Sequence, residues 1–484
     1  MTFNGYFAGS MSAAELLAFC NELAEGGNEL RQFELWQGDR CLARAALPPY
    51  TTTDKMQLYS LSKSFCATAV GLAADRGLLS VDDPVLHFFP DCAPAHPSEN
   101  LRAMTVHHLL SMNTGHDCCQ FPEVIDRENG PAAFLSAEVP HKPGTHFAYN
   151  TGASYMCAAI VERVTGMSLF DFLRVNLFRP LGISPARWQR QGGHCEGGIG
   201  LYADCSDIAA FGRLYLGRGV FEGKRLLSEA WCDSVWMPHS DNSANGTSDW
   251  CAGYGYQFWR NERGGYRGDG AFGQLCIIYP AYNAVLALLT SSTNMGITLT
   301  AGLNLIEKVC APGAARTSTD EQDAAACRAL SSLYAPLPGG SVDRLPIGKI
   351  YCFDPNPCGF TTLTLRREEN AVALEIGNGE SCTTLRAGAG AWLRSAITAP
   401  SIKPELAAPT RGLYSPYRPE TLDCSLSYET TDDGRLRLAV RLRNAVHQGE
   451  MVFSFTDGGF VWESSYRTGS IHTGAERMTG REIH

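Results

Sequence analysis

Residues 56–79 read MQLYSLSKSFCATAVGLAADRGLL. Within them Ser60-Leu61-Ser62-Lys63 forms an S-x-x-K tetrad, followed by an alanine-rich apolar run. That run has the composition of a helix buried on all sides and predicts a central helix. If Ser60 opens the helix, Lys63 stands one turn later on the same face, within hydrogen-bond reach of the hydroxyl. The unpaired N–H groups and positive potential of a helix N-terminus favour an incoming carbonyl oxygen. A lysine buried there loses part of its preference for charge and can take a serine proton. Lysine is also scarce: only seven of the forty basic residues are lysines, and only Lys63 has a serine three positions earlier.

On the N-terminal side, residues 12–25 have helical periodicity, with Ser12 at the start and Gly26-Gly27 at the end. Residues 31–47 alternate as two strands about a Gly38-Asp39 turn. From about 60 to 245 the chain reads as helical patches and loops. Strand character returns between Tyr254 and Leu289, with turns at Gly264-Gly265 and Pro280–Asn283, and 296–311 again reads as helix. Strands at both sequence ends with helices between them predict one antiparallel sheet with a helical insertion. A doubly wound parallel sheet would alternate strand and helix throughout. Residues 313–340 are rich in Ala, Ser, Pro and Gly and read as a linker with at most one short helix. Short alternating segments follow, separated by turns such as Asp457-Gly458-Gly459, and predict an all-β domain over 341–484, a sandwich or a barrel.

Composition narrows the function. Forty basic against fifty acidic residues give a net charge of −10, the wrong sign for a dedicated nucleic-acid binder. No run reaches the length of a membrane span, and Leu275–Leu289 is broken by Pro280 and Asn283. Eighteen cysteines are too dilute for a disulfide scaffold. No basic residue precedes Arg31 and no signal-like apolar run opens the chain, so the expectation is a cytoplasmic protein with free thiols. There is no G-x-S-x-G, no phosphate-binding glycine loop and no H-E-x-x-H. His107 and His108 are adjacent and point to different sides, so no metal or organic cofactor is read.

Several stretches, in order, resemble the serine β-lactamase and penicillin-binding-protein-like hydrolases, on the class C β-lactamase and esterase side. They are 56–91 around the tetrad, TVHHLLSMNTGH at 105–116, the stretch 143–183 that opens PGTHFAYNTGASYM, the stretch 197–231 that opens GGIGLYADCSDIAAFGRLYLGRG, and YRGDGAFGQLCIIYP at 266–280. The resemblance covers roughly residues 30–310. It implies an α/β (α+β) domain over 1–312, an antiparallel sheet flanked by helices, with the active site between the sheet and the insertion. It also implies Ser60 as nucleophile, Lys63 as its partner, and Tyr149 as the residue that activates the serine or protonates the leaving group. The second motif is Tyr149-Asn150-Thr151 where the family has Tyr-x-Asn, so Thr151 stands in for an amide. The third is Tyr266–Gln274, in which a backbone N–H of Gly268 or Asp269 is expected to complete an oxyanion hole with that of Ser60. Arg267 is the nearby cation.

The expected function is therefore acyl-enzyme hydrolysis of a small-molecule ester or amide. A β-lactamase, D,D-peptidase or D-aminopeptidase is the alternative, and a catalytically silent binding protein the alternative of another class. No nucleic-acid or membrane partner is expected, and the oligomeric state is left open. Loops 117–142 and 236–252 would shape the pocket. The C-terminal domain reads as an independent stability or oligomerisation module; the competing reading is that one of its loops, with aromatic turns at Tyr414–Tyr417 and Phe460–Trp462, covers the mouth of the Ser60 site.

Overall fold

The computed structural model describes residues 3–125, 127–246, 248–356, 358–398, 421–468 and 471–483. A seven-stranded antiparallel sheet takes β1 (Asn4–Phe7), β2 (Glu29–Gln37) and β3 (Arg40–Ala46) from one end of the sequence. From the other end it takes β4 (Trp259–Arg260), β5 (Tyr266–Gly270), β6 (Gln274–Tyr279) and β7 (Ala284–Ser291). The order is β1-β3-β2-β7-β6-β5-β4, so the two ends meet where Phe33 and Leu35 of β2 face Leu288 and Leu286 of β7.

Helices cover both faces, which is why β6 and β7 are buried along their whole length and mostly apolar instead of alternating. Leu275, Ile277, Leu286 and Leu288 join a core with α1 (Ala13–Glu25) and α5 (Met295–Val309). Cys276, Ile278, Ala287 and Leu289 point the other way, into a core with the insertion helices α2 (Ser62–Ala74), α3 (Thr151–Thr165) and α4 (Cys205–Leu216). In α2 every residue from Ser62 to Ala73 is buried. Its small residues let neighbours approach closely: a Cβ on Gly71 would lie 2.4 Å from the Trp231 ring. Its hydroxyls are matched, Ser64 Oγ donating to Gln257 O (2.8 Å) and Thr68 Oγ1 lying 2.6 Å from Tyr215 OH.

After α5, one helix, α6 (Asp320–Ser332), occupies the connecting stretch and buries Ala326 and Leu330 in the core beside α1. The C-terminal strands are β8 (Ile350–Phe353), β9 (Thr362–Glu368), β10 (Ala371–Gly377), β11 (Cys382–Gly388), β12 (Leu393–Thr398), β13 (Thr421–Thr430), β14 (Leu436–Leu442), β15 (Gln448–Thr456), β16 (Gly459–Thr468) and β17 (Ile471–Ile483). They form one antiparallel sheet that a parallel pairing of Gly388 in β11 with Ser427 in β13 closes, giving a nine-strand barrel with β12 beside it. The open choice between sandwich and barrel thus resolves to a barrel.

The Phe460–Trp462 stretch is not an exposed turn. Phe460 and Trp462 are each 2% exposed and alternate inward along β16, because the turn ends at Gly458. The Tyr414–Tyr417 turn lies outside the described residues. The barrel reaches the first sheet through the β14–β15 connection and through Arg441, Gln448 and Arg467, whose side chains meet Glu29 of β2. Arg31 of β2 is fully buried and donates to the carbonyls of Leu442 (2.9 Å), Ala445 and Val446 (2.5 Å). Ser291 Oγ also donates to Val446 O (2.7 Å), and the Gln57 N–H to Asn444 O (3.2 Å). No helix among the described residues is long and apolar enough to cross a membrane, and all eighteen cysteines are free thiols.

Candidate active site

Ser60 sits in the 3₁₀ turn Tyr59–Leu61, which runs directly into α2. Tyr59 adopts φ +49, in the left-handed region, which turns the chain sharply just before the serine. One turn later, Lys63 is 1% exposed. Its Nζ donates to Ser60 Oγ (3.0 Å), Thr151 Oγ1 (3.1 Å) and Gly198 O (2.9 Å), one acceptor for each ammonium proton. None of these acceptors is charged. Burial therefore lowers the Lys63 pKa from 10.5 to about 7, against a smaller upward pull from the Cys119 and Cys66 thiols.

The second motif lies at the start of α3. Asn150 caps that helix through Oδ1, which accepts from the N–H groups of Gly152 (2.9 Å) and Gln120 (2.9 Å). The cap places Thr151 against Lys63. The Tyr149 ring centroid is 4.9 Å from Lys63 Nζ, and the ring stacks on Trp259 at 5.4 Å. Phe147 and Tyr254 complete this aromatic wall, each packing on Trp259, at 6.2 and 4.7 Å.

Strand β5 packs on the Ser60 turn through its glycines. A Cβ on Gly270 would lie 2.1 Å from Leu58 O and 3.1 Å from Leu61 N; one on Gly268 would meet Leu61 Cδ1 at 2.3 Å. The alternate residues face the other way. Arg267 is 0% exposed and donates to Asp269 Oδ2 (2.8 Å), Arg260 O (3.0 Å) and Asn261 Oδ1 (2.6 Å), with its guanidinium 4.8 Å from the Trp250 ring centroid. The side chains of Arg267 and Asp269 are thus turned away from Ser60 because strand parity sends them there.

Beyond β5 the turn Ala271–Gly273 is tied down by Gln274 Nε2, which donates to Ala271 O (3.2 Å) and Phe272 O (3.0 Å). Phe272, at φ +64, meets the Tyr59 ring edge-on at 5.1 Å. Among the described residues, neither the Ser60 nor the Ala271 N–H has a hydrogen-bond acceptor.

The family model described as Beta-lactamase matches residues 32–297, more than half of the chain. The chain belongs to the beta-lactamase family. Among the relatives of this beta-lactamase-family chain is the 6-aminohexanoate-dimer hydrolase of Paenarthrobacter ureafaciens, 29% identical over 284 residues, which are 54% of this chain and 72% of the relative. Penicillin-binding protein 4 of Amycolatopsis lactamdurans is 26% identical over 283 residues, covering 50% of this chain and 73% of its own. Among solved structures, the octameric penicillin-binding protein homologue of Pyrococcus abyssi superposes with a TM-score of 0.50 at 16% identity. It covers 97% of this chain and 100% of its own, so the shared fold extends through the barrel.

Three features of the site were not singled out from the sequence. The Gly198 carbonyl that receives Lys63 needs a residue without a side chain, since a Cβ there would lie 2.5 Å from Thr151 Cγ2; the Gly197-Gly198 pair is the readable sign. Cys119 comes from a loop with no periodic signal, and its Sγ accepts from the Thr151 N–H at 3.3 Å. Ala271 follows the last strand glycine, where a ladder residue would have its N–H paired.

Proposed function

We propose that the protein is a serine hydrolase that works through an acyl-enzyme on small-molecule esters or amides. The observation that carries this reading is the Lys63 ammonium, buried without a carboxylate and 3.0 Å from Ser60 Oγ. In its neutral form Lys63 accepts the Ser60 proton as Oγ attacks the substrate carbonyl, and Tyr149 passes a proton to the leaving group. The Ser60 N–H and the Ala271 N–H, which follows directly on the end of β5, hold the oxyanion. Thr151 fixes Lys63 through its hydroxyl. Water then enters, the same Lys63–Tyr149 pair removes its proton, and Ser60 leaves as the acid is released.

The aromatic wall of Phe147, Tyr149, Tyr254 and Trp259 favours an apolar substrate portion. Hydrolysis of β-lactams or D,D-peptides ranks lower, because those substrates bring a carboxylate and the cation of β5, Arg267, is already committed to Asp269. The 6-aminohexanoate-dimer hydrolase named among the relatives makes a linear amide a reasonable first substrate. In the same proposal residues 1–312 carry the chemistry, 313–340 connect, and the barrel of 341–484 braces the first sheet. The free thiols fit a reducing cytoplasm. Intact-mass analysis after exposure to a fluorophosphonate and to a panel of esters, amides and β-lactams tests the reading. One adduct per chain, absent in Ser60→Ala, supports it; an adduct that persists in Ser60→Ala overturns it.

A further inference from the structure

Two segments lead into the site side by side. The first, 112–120, delivers Cys119 against Thr151, and the second, 139–148, runs directly into Tyr149. Backbone hydrogen bonds hold them together: His141 N–H to Gly115 O (3.0 Å), Gly144 N–H to Asn113 O (2.8 Å) and Ala148 N–H to Met112 O (3.0 Å). The approach is so close at Gly115, φ +90, that a Cβ there would lie 2.3 Å from His141 O. On this rigid pair three side chains converge. His141 Nε2 lies 2.5 Å from Asp117 Oδ1, and the His141 and His146 rings stack at 4.2 Å with 28° between their planes. One nitrogen from each ring and one carboxylate oxygen all lie within 4.8 Å of one another.

We propose that Asp117, His141 and His146 bind a divalent transition-metal ion, zinc in the first place, at the edge of the active site. Two imidazoles and a carboxylate are the donor set of such ions, whereas magnesium and calcium select oxygen. Zinc bonds of 2.0–2.2 Å in a tetrahedron set the ligand atoms about 3.3 Å apart. The Asp117–His141 pair must therefore open by under about 1 Å, and the widest pair must close by about 1.5 Å, within the reach of side-chain rotation. All three residues are partly open to solvent, Asp117 with 66% of its side chain exposed, so an ion has a way in and a fourth position is left for water. The bound ion clamps the Cys119 segment to the Tyr149 segment. It needs no part in the chemistry at Ser60.

The full chain, stripped with a chelator, is titrated with cobalt(II). The expected result is one equivalent bound, with visible d–d absorption, no thiolate-to-cobalt charge-transfer band, and displacement by zinc. His146→Ala and Asp117→Ala should each weaken binding by about tenfold or more, with circular dichroism and the metal-free melt unchanged. Absence of binding, a thiolate band from any of the eighteen cysteines, or equal binding by both variants overturns the proposal. The readout is metal absorbance, so either result leaves the Ser60 reading to its own test.

Discussion

Lys63 on α2 and Arg267 on β5 belong to the two elements that meet at the Ser60 turn, and both are shut off from solvent, at 1% and 0% exposure. Arg267 has a carboxylate against it, in Asp269 at 2.8 Å, plus two neutral acceptors. Lys63 has neutral acceptors alone. A guanidinium keeps its proton in either setting, and with an anion beside it becomes a strut. An ammonium without an anion is held where giving up its proton costs little. Two buried cations on the elements that meet at the Ser60 turn thus have opposite employment, decided by whether one carboxylate is present.

The sharpest test of that contrast starts at the serine. Ser60→Ala should abolish essentially all turnover of an activated ester while leaving the melt close to wild type, since the Ser60 hydroxyl caps neither the 3₁₀ turn nor α2. Next, Lys63→Ala and Tyr149→Phe should each lower kcat by about 10²–10⁴ with little change in KM. Lys63→Arg should be as damaging as Lys63→Ala, because an arginine cannot accept the proton; a variant within tenfold of wild type would break the contrast outright.

The pH dependence comes third. If neutral Lys63 is the base, kcat/KM should rise with pH through about 7. The sign for stability is the same. Lys63 is depressed from 10.5 to about 7, so between those values the unfolded chain holds a proton that the folded one has released. Stability should therefore increase with pH across that window, an increment that Lys63→Met removes. The smallest effect on turnover belongs to the strut. Asp269→Asn leaves Arg267 buried without its anion and should cost about 3–5 kcal/mol in a denaturant melt, while the folded fraction keeps a kcat near wild type. A Lys63-sized loss of kcat would mean that Arg267 reaches the substrate after all.

The S-x-x-K was legible because helical spacing is a strong local signal, and the apolar run after Lys63 announced its burial. The sheet was legible from strands at both ends of 1–312. Arg267 and Asp269 were named from their place in the third motif, without the face that strand alternation gives each. Read as a strand, the same letters put Gly268 and Gly270 on one face and the charged pair on the other. The Phe460–Trp462 stretch was misread as a turn because its strand begins directly after Gly458. Barrel closure through Gly388 and Ser427 joins segments with no shared pattern, and nothing in either announces the other.

The anchorage of Val446 on Arg31 has a consequence in time. The two residues are 415 positions apart, and the fully buried Arg31 side chain spends its donors on carbonyls that lie beyond residue 440. During synthesis the first sheet and α2 are complete long before those carbonyls exist. Until they arrive, β2 carries an unmatched guanidinium in a half-built core. Closing so long a loop adds little to the entropic cost, since each doubling of length is worth only about 0.6 kcal/mol, but it sets an order of events. The surroundings of the Ser60 turn thus receive part of their support from a stretch made well after the last strand of the first sheet, so a nascent polypeptide that stops short of it lacks that support.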